Sequence, residues 1–120
     1  MNLKTVLVIE DNEDIWMAAR TSLRKVCHCV WANSAEKGLE VIKEKNPDAV
    51  LMDIQLPKMS GIELTKILRT MEEFSRLPII AFTASALPEQ KKEALVAGCN
   101  SIVSKPFTRN QLVEALAPYL

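Results

Sequence analysis

The sequence predicts an α/β domain in which a parallel sheet is covered by helices on both faces, and three observations carry that prediction. Short apolar runs without alternation recur along the chain, as expected of strands buried on both sides. Segments of helical period separate them, and strict βα alternation with right-handed crossovers forces parallel pairing. At 120 residues the chain has the length of one domain, and five repeats are too few for an eight-stranded barrel. The expected architecture is therefore a single-domain (βα)5 three-layer sandwich over residues 1–120.

The first strand is Val6 to Ile9, followed by a helix whose stripe is Ile15, Ala18, Ala19, Ser22, Leu23 and Val26. A mixed second strand, Cys27 to Ala32, precedes a helix marked by Ala35, Gly38, Leu39 and Ile42. Ala49 to Met52 is the third strand, and Leu64, Ile67, Leu68 and Met71 mark its helix. The fourth strand is Ile79 to Phe82, and a weaker helical stripe runs from Pro88 to Ala97. Ile102 and Val103 form the fifth strand, before a helix striped by Leu112, Ala115, Leu116 and Tyr119. Ser60-Gly-Ile-Glu63 and Thr108-Arg-Asn-Gln111 have the pattern of capping boxes, Pro88 suits a first helical turn, and Gly98 suits a left-handed stop.

Composition excludes several classes. Fifteen basic residues balance fifteen acidic ones, so no bulk charge attracts nucleic acid or an anionic membrane. Three cysteines without a CxxC pair, and no secretory signal or long apolar window, point to a reducing cytoplasm.

In an open parallel sheet, ligands bind beyond the carboxyl ends of the strands. There the first strand ends in Glu10-Asp11, the third in Asp53, the fourth in Thr83-Ala84 and the fifth in Lys105-Pro106. Gathered carboxylates repel one another unless a hard cation joins them, and Mg²⁺ fits such an oxygen site. Beside a lysine, this cluster reads as a phosphoryl-handling site: a carboxylate attacking phosphorus gives an aspartyl phosphate, while Lys105 and Thr83 contact its oxygens.

These residues carry a resemblance to the receiver domains of two-component response regulators, over essentially the whole chain. Glu10-Asp11 resembles the family's acidic pair, Asp53-Ile-Gln-Leu-Pro-Lys-Met-Ser-Gly61 its phosphoacceptor loop, Phe82-Thr83-Ala84 its switch hydroxyl, and Lys105-Pro106-Phe107 its lysine-proline turn. The resemblance implies a flavodoxin-like sheet of order 2-1-3-4-5, a cis Lys105-Pro106 peptide, and transfer of a phosphoryl group from a histidine kinase or histidine phosphotransfer protein to Asp53. It also implies that Asp11 binds Mg²⁺ directly, that Glu10 helps through water, and that the Gln55 backbone carbonyl is a further metal ligand beside Asp53. The expected outcome is a switch of the surface formed by the fourth helix, fifth strand and fifth helix, passed to a downstream protein or linked module, with no direct contact to nucleic acid or membrane. Phosphotransfer would be self-directed rather than enzymatic. The family often carries an aromatic residue three positions before the lysine; here that position is Ile102, which favours a relay role.

Three rival functions remain. A haloacid-dehalogenase-like phosphatase usually has a second Asp two residues after its nucleophile, where this chain has Gln55. A flavodoxin-like electron carrier would need a phosphate loop after the first strand, and a phosphorylation-independent receiver-fold binding module would not need the acidic and lysine positions. Cys27-His28-Cys29 is a poor metal site because successive strand side chains point to opposite faces. Trp16 is expected to be partly buried, or else to anchor a docking partner together with Asp14 and Ile15.

Overall fold

The computed structural model describes residues 3–85 and 87–120. Five strands, β1 (Thr5–Ile9), β2 (His28–Ala32), β3 (Ala49–Asp53), β4 (Ile79–Thr83) and β5 (Ser101–Ser104), pair in parallel in the order β2-β1-β3-β4-β5. The helices are α1 (Glu13–Leu23), α2 (Ala35–Lys45), α3 (Gly61–Thr70), α4 (Pro88–Ala97) and α5 (Arg109–Leu116). This is the predicted doubly wound sandwich.

The strand patterns follow from position. The central strands β3 and β4 are buried throughout, which is why they read as unbroken apolar runs, whereas β2 and β5 lie at the edges and are mixed. Alternation splits the core into two layers. Leu7, Ile9, Val50, Met52, Ile79 and Ala81 face α2, α3 and α4 through Ile42, Leu64, Leu68 and Ala94. Val6, Val8, Leu51, Ile80 and Phe82 face α1 and α5 through Ala19, Leu23, Leu112 and Leu116. Each fully buried leucine contributes roughly 1.5–3 kcal/mol of apolar burial.

The ends differ from the sequence pattern in small ways. Val26 and Met71 fall outside α1 and α3; each donates its N–H to a last-turn carbonyl, of Leu23 and Leu68, as the chain leaves the helix. Thr108 and Gln111 form the complete reciprocal capping box. Ser60 accepts from the Glu63 N–H, but the Glu63 carboxylate meets the Ser60 hydroxyl at 3.5 Å rather than its backbone, so only half of that box forms. A 3-10 turn at Glu72–Phe74, invisible to helical periodicity, seats Phe74 in the core. Gly98 stops α4 at φ 122°, a conformation that a side chain would strain.

Candidate functional site

The carboxyl ends of β1, β3, β4 and β5 bring the charged residues together. Glu10 leaves β1 with its N–H bonded to the Ala32 carbonyl at 3.0 Å, and its own carbonyl accepts the Trp31 indole N–H at 2.7 Å. The backbone is thus pinned from both sides. Glu10 Oε2 accepts the Asn12 N–H at 3.0 Å, and Asn12 Oδ1 caps α1 by accepting from Ile15. Glu10 is 1 % exposed.

Asp53 ends β3 at 4 % exposure. One of its oxygens accepts the Gln55 N–H at 2.9 Å, so the loop folds back on the carboxylate. Gly61 holds α3 close beneath this turn: a Cβ there would collide with the Asp53 carbonyl and lie 2.9 Å from Ile54 Cα. The intervening loop passes through Lys58 at φ 64°.

Lys105 joins the two buried acids. Its Nζ lies 2.7 Å from Glu10 Oε1 and 3.1 Å from Asp53 Oδ2, and 4.7 Å from the centre of the Phe82 ring. The Phe82 face is electron-rich and favours a cation there. The Lys105-Pro106 peptide is cis, as the resemblance implies. Lys105 N–H bonds the Thr83 carbonyl at 2.8 Å, tying β5 to β4 beside the site.

Glu10, Asp11 and Asp53 each offer an oxygen within 4.8 Å of the others, Asp11 from an exposed position. This donor set is all oxygen and half open, which fits a hard divalent cation. The cost of gathering the acids falls on Glu10, whose carboxyl is pushed up to about 7 by burial, against the opposing pull of Lys105 and the Asn12 N–H. Thr83, fully buried, ends β4 next to these groups, but its hydroxyl accepts the Ser85 N–H at 3.0 Å rather than meeting a carboxylate. The Gln55 side chain points to α4, with Nε2 3.5 Å from Gln90 Oε1.

Three participants escaped the sequence reading. Asn12 was legible as a cap following the acidic pair, whereas Phe82 beneath Lys105 and Trp31 behind Glu10 look in sequence like ordinary strand residues. Trp16 is buried to 8 % exposure and stacks on Trp31, centroids 5.6 Å apart at 7°. It therefore cannot serve as an exposed anchor; its ring completes the α1 side of the core. Beside Lys105 the open surface is instead an apolar cleft of about 440 Å³ lined by Asp14, Ile15, Ala18, Ala84, Pro106 and Phe107. Cys27 and Cys29 share one face, His28 is exposed on the other, and no three-ligand site forms among them.

Comparison with known proteins agrees with this geometry. Residues 6–117 match the family model described as the response regulator receiver domain. The polar-differentiation response regulator DivK of Brucella ovis is 35% identical over 98% of this chain and 96% of its own length. The receiver domain of the sensor histidine kinase PA1611 of Pseudomonas aeruginosa, solved with a magnesium ion in its active-site cleft, is 31% identical with a TM-score of 0.88, covering 97% of this chain and 96% of that one. The chemotaxis response regulator CheY4 of Vibrio cholerae, 24% identical, shares the fold at a TM-score of 0.91 over 99% of this chain and 100% of that one. With acidic residues, hydroxyl and lysine at the ends of four strands of a 2-1-3-4-5 sheet, the chain belongs to the response regulator receiver domains of two-component signalling.

Proposed function

We propose that the protein is a Mg²⁺-dependent phosphoacceptor that takes a phosphoryl group onto Asp53. The observation that carries this reading is Lys105 Nζ bridging the buried carboxylates of Glu10 and Asp53, which pre-places a cation where new anionic oxygens would form. Asp11, Glu10, Asp53 and the Gln55 backbone carbonyl would hold the metal, whose charge would offset that of the incoming phosphoryl group. A carboxylate oxygen of Asp53 attacks phosphorus of a phosphohistidine; the P–N bond breaks, its electron pair stays on the imidazole, and a mixed anhydride remains on Asp53. Lys105 then pairs with a phosphoryl oxygen instead of the carboxylate, and the Thr83 hydroxyl turns from the Ser85 N–H to donate to another.

The loop at Ser85 is released as its bond to the Thr83 hydroxyl breaks, and the Thr83–Lys105 backbone bond carries the shift to β5, biasing the α4-β5-α5 surface. A swing between mostly inactive and mostly active populations needs about 5 kcal/mol of differential stabilisation, within reach of a few charge-assisted hydrogen bonds. Ile102 packs against the core on the α4 side, so readout rests on backbone and hydroxyl rather than on an aromatic rotamer. This suits an intermediate in a phosphorelay. The donor is a histidine kinase or phosphotransfer protein seated over the apolar cleft beside Lys105, and the recipient is a downstream protein or linked module. Three free thiols fit a reducing cytoplasm, and among the described residues no helix is long and apolar enough to cross a membrane.

Catalytic turnover is not expected: Gln55 stands where a phosphatase has its second acid, so phosphotransfer is confined to the protein's own Asp53. Incubation with Mg²⁺ and acetyl phosphate followed by intact-mass measurement tests the proposal. The expected result is one added phosphoryl mass, absent in Asp53→Asn or after chelation. An unchanged mass would favour a phosphorylation-independent binding module, and steady release of inorganic phosphate well above the amount of protein would indicate a phosphatase.

A further inference from the structure

We propose that Cys27 and Cys29 form a dithiol site oxidised by peroxide to an intramolecular disulfide, with Cys29 as the attacking thiol and Cys27 as the resolving one. The pair lies at the amino end of β2, at the opposite end of the strands from the phosphoryl site. Their sulfurs stand 3.8 Å apart, because residues two apart on a strand share a face. Such residues have Cα atoms about 6.5–7 Å apart, at the upper end of what a disulfide spans, and Cys27 sits at the bend before the strand, where little movement closes the gap.

The two thiols are unequal. Cys27 is 1 % exposed, whereas Cys29 is partly exposed. A cleft of about 210 Å³, lined by both cysteines with Leu3, Arg20, Arg24 and His28, opens beside them. The S–H of Cys27 and, more weakly, the Arg20 guanidinium pull the Cys29 thiol below its ordinary range against the effect of burial, while the same hydrogen bond and burial push Cys27 up. Cys29 is the more exposed sulfur beside the cleft, where peroxide can reach it. Its sulfur attacks one peroxide oxygen, the O–O bond breaks, and hydroxide leaves a sulfenic acid on Cys29. Hydroxide takes the Cys27 proton as water; the Cys27 sulfur then attacks the Cys29 sulfur and expels the sulfenic oxygen as hydroxide, which leaves as a second water on protonation. Overall, two thiols and one peroxide give one disulfide and two waters.

Cys99 provides an internal control, since it lies in the other core layer, buried and held away from the pair. Cleavage after Lys25 and Lys37 places both reacting cysteines in one peptide, so an intramolecular bond appears as the loss of two hydrogens from Val26–Lys37. The full-length chain treated with hydrogen peroxide should lose two of its three thiols, regain them with dithiothreitol, and keep Cys99 reduced. Cys29→Ser should abolish the reaction, and Cys27→Ala should leave a Cys29 sulfenic acid trappable by dimedone. Oxidation of Cys29 no faster than Cys99, or crosslinks between chains instead of within the peptide, would overturn the assignment. Thiol chemistry is read directly, so the outcome is independent of whether Asp53 accepts phosphate.

Discussion

At the amino-terminal rim of the sheet, polar side chains close mostly on backbone groups; at the carboxyl-terminal rim charged side chains also close on one another. Asp48 accepts the Thr5 N–H at 2.8 Å, and Asn100 accepts the Ile79 N–H at 2.8 Å. Arg69 reaches from α3 to donate twice to the Gly98 carbonyl, once to Phe74 and once to Asn100. Each such bond satisfies a backbone or amide group that folding would otherwise orphan. Glu10 and Asp53 each give one oxygen to the backbone, at Asn12 and Gln55, and the other to Lys105, so that three charged groups are joined and one acid is lifted to about 7. One rim satisfies backbone groups, and the other gathers buried charge that the proposed phosphoacceptor chemistry would use.

Among single substitutions, breaking the amino rim gives the largest expected loss of stability. Arg69→Ala strips the Gly98 and Phe74 carbonyls of a half-buried donor and should cost about 2 kcal/mol in urea unfolding. Phosphoryl uptake per folded molecule should be unchanged; a fall in uptake at full folding would show that the rims are not separable.

The carboxyl rim should respond to pH instead. Between the ordinary carboxyl value of 4.5 and about 7, the folded protein keeps a proton on Glu10 that the unfolded chain has lost. Metal-free stability therefore falls as pH rises through that window, by about 3 kcal/mol. Glu10→Gln should flatten this slope in unfolding experiments at a series of pH values. Because metal binding needs the ionised carboxylate, the rise in Tm with added Mg²⁺ should be larger at pH 8 than at pH 6, and chelation should reverse it. Equal shifts at both pH values would remove Glu10 from the metal site.

Smaller effects sharpen the comparison at helix starts. Thr108→Ala, which breaks a complete capping box, should cost about 1 kcal/mol, and Ser60→Ala, which breaks half of one, about 0.5 kcal/mol. Reversal of that order by thermal unfolding would mean that the Glu63 contact to Ser60 contributes more than its 3.5 Å length suggests.

Much of this was legible in sequence because it depends on local periodicity. The buried central strands announced themselves as apolar runs, and the five candidate site side chains sit where those runs end. Trp16 was expected to be partly buried, as it is, but its stacking on Trp31, on another element, was not legible. The lifted Glu10 carboxyl and the Phe82 ring under Lys105 likewise arise from residues distant in the chain. Thr83 was correctly placed at a strand end, but which atom its hydroxyl bonds is decided by the turn at Ser85. Periodicity locates elements; it does not report which side chains meet across them.

Asp53 is the proposed phosphoryl acceptor, and borohydride reduction of the phosphorylated protein tests that directly. An acyl phosphate on Asp53 is reduced to an alcohol, so peptide sequencing should find homoserine at position 53 and aspartate at Asp11 and Asp14. Homoserine at either of those positions, or at none in protein that has gained phosphoryl mass, would contradict it.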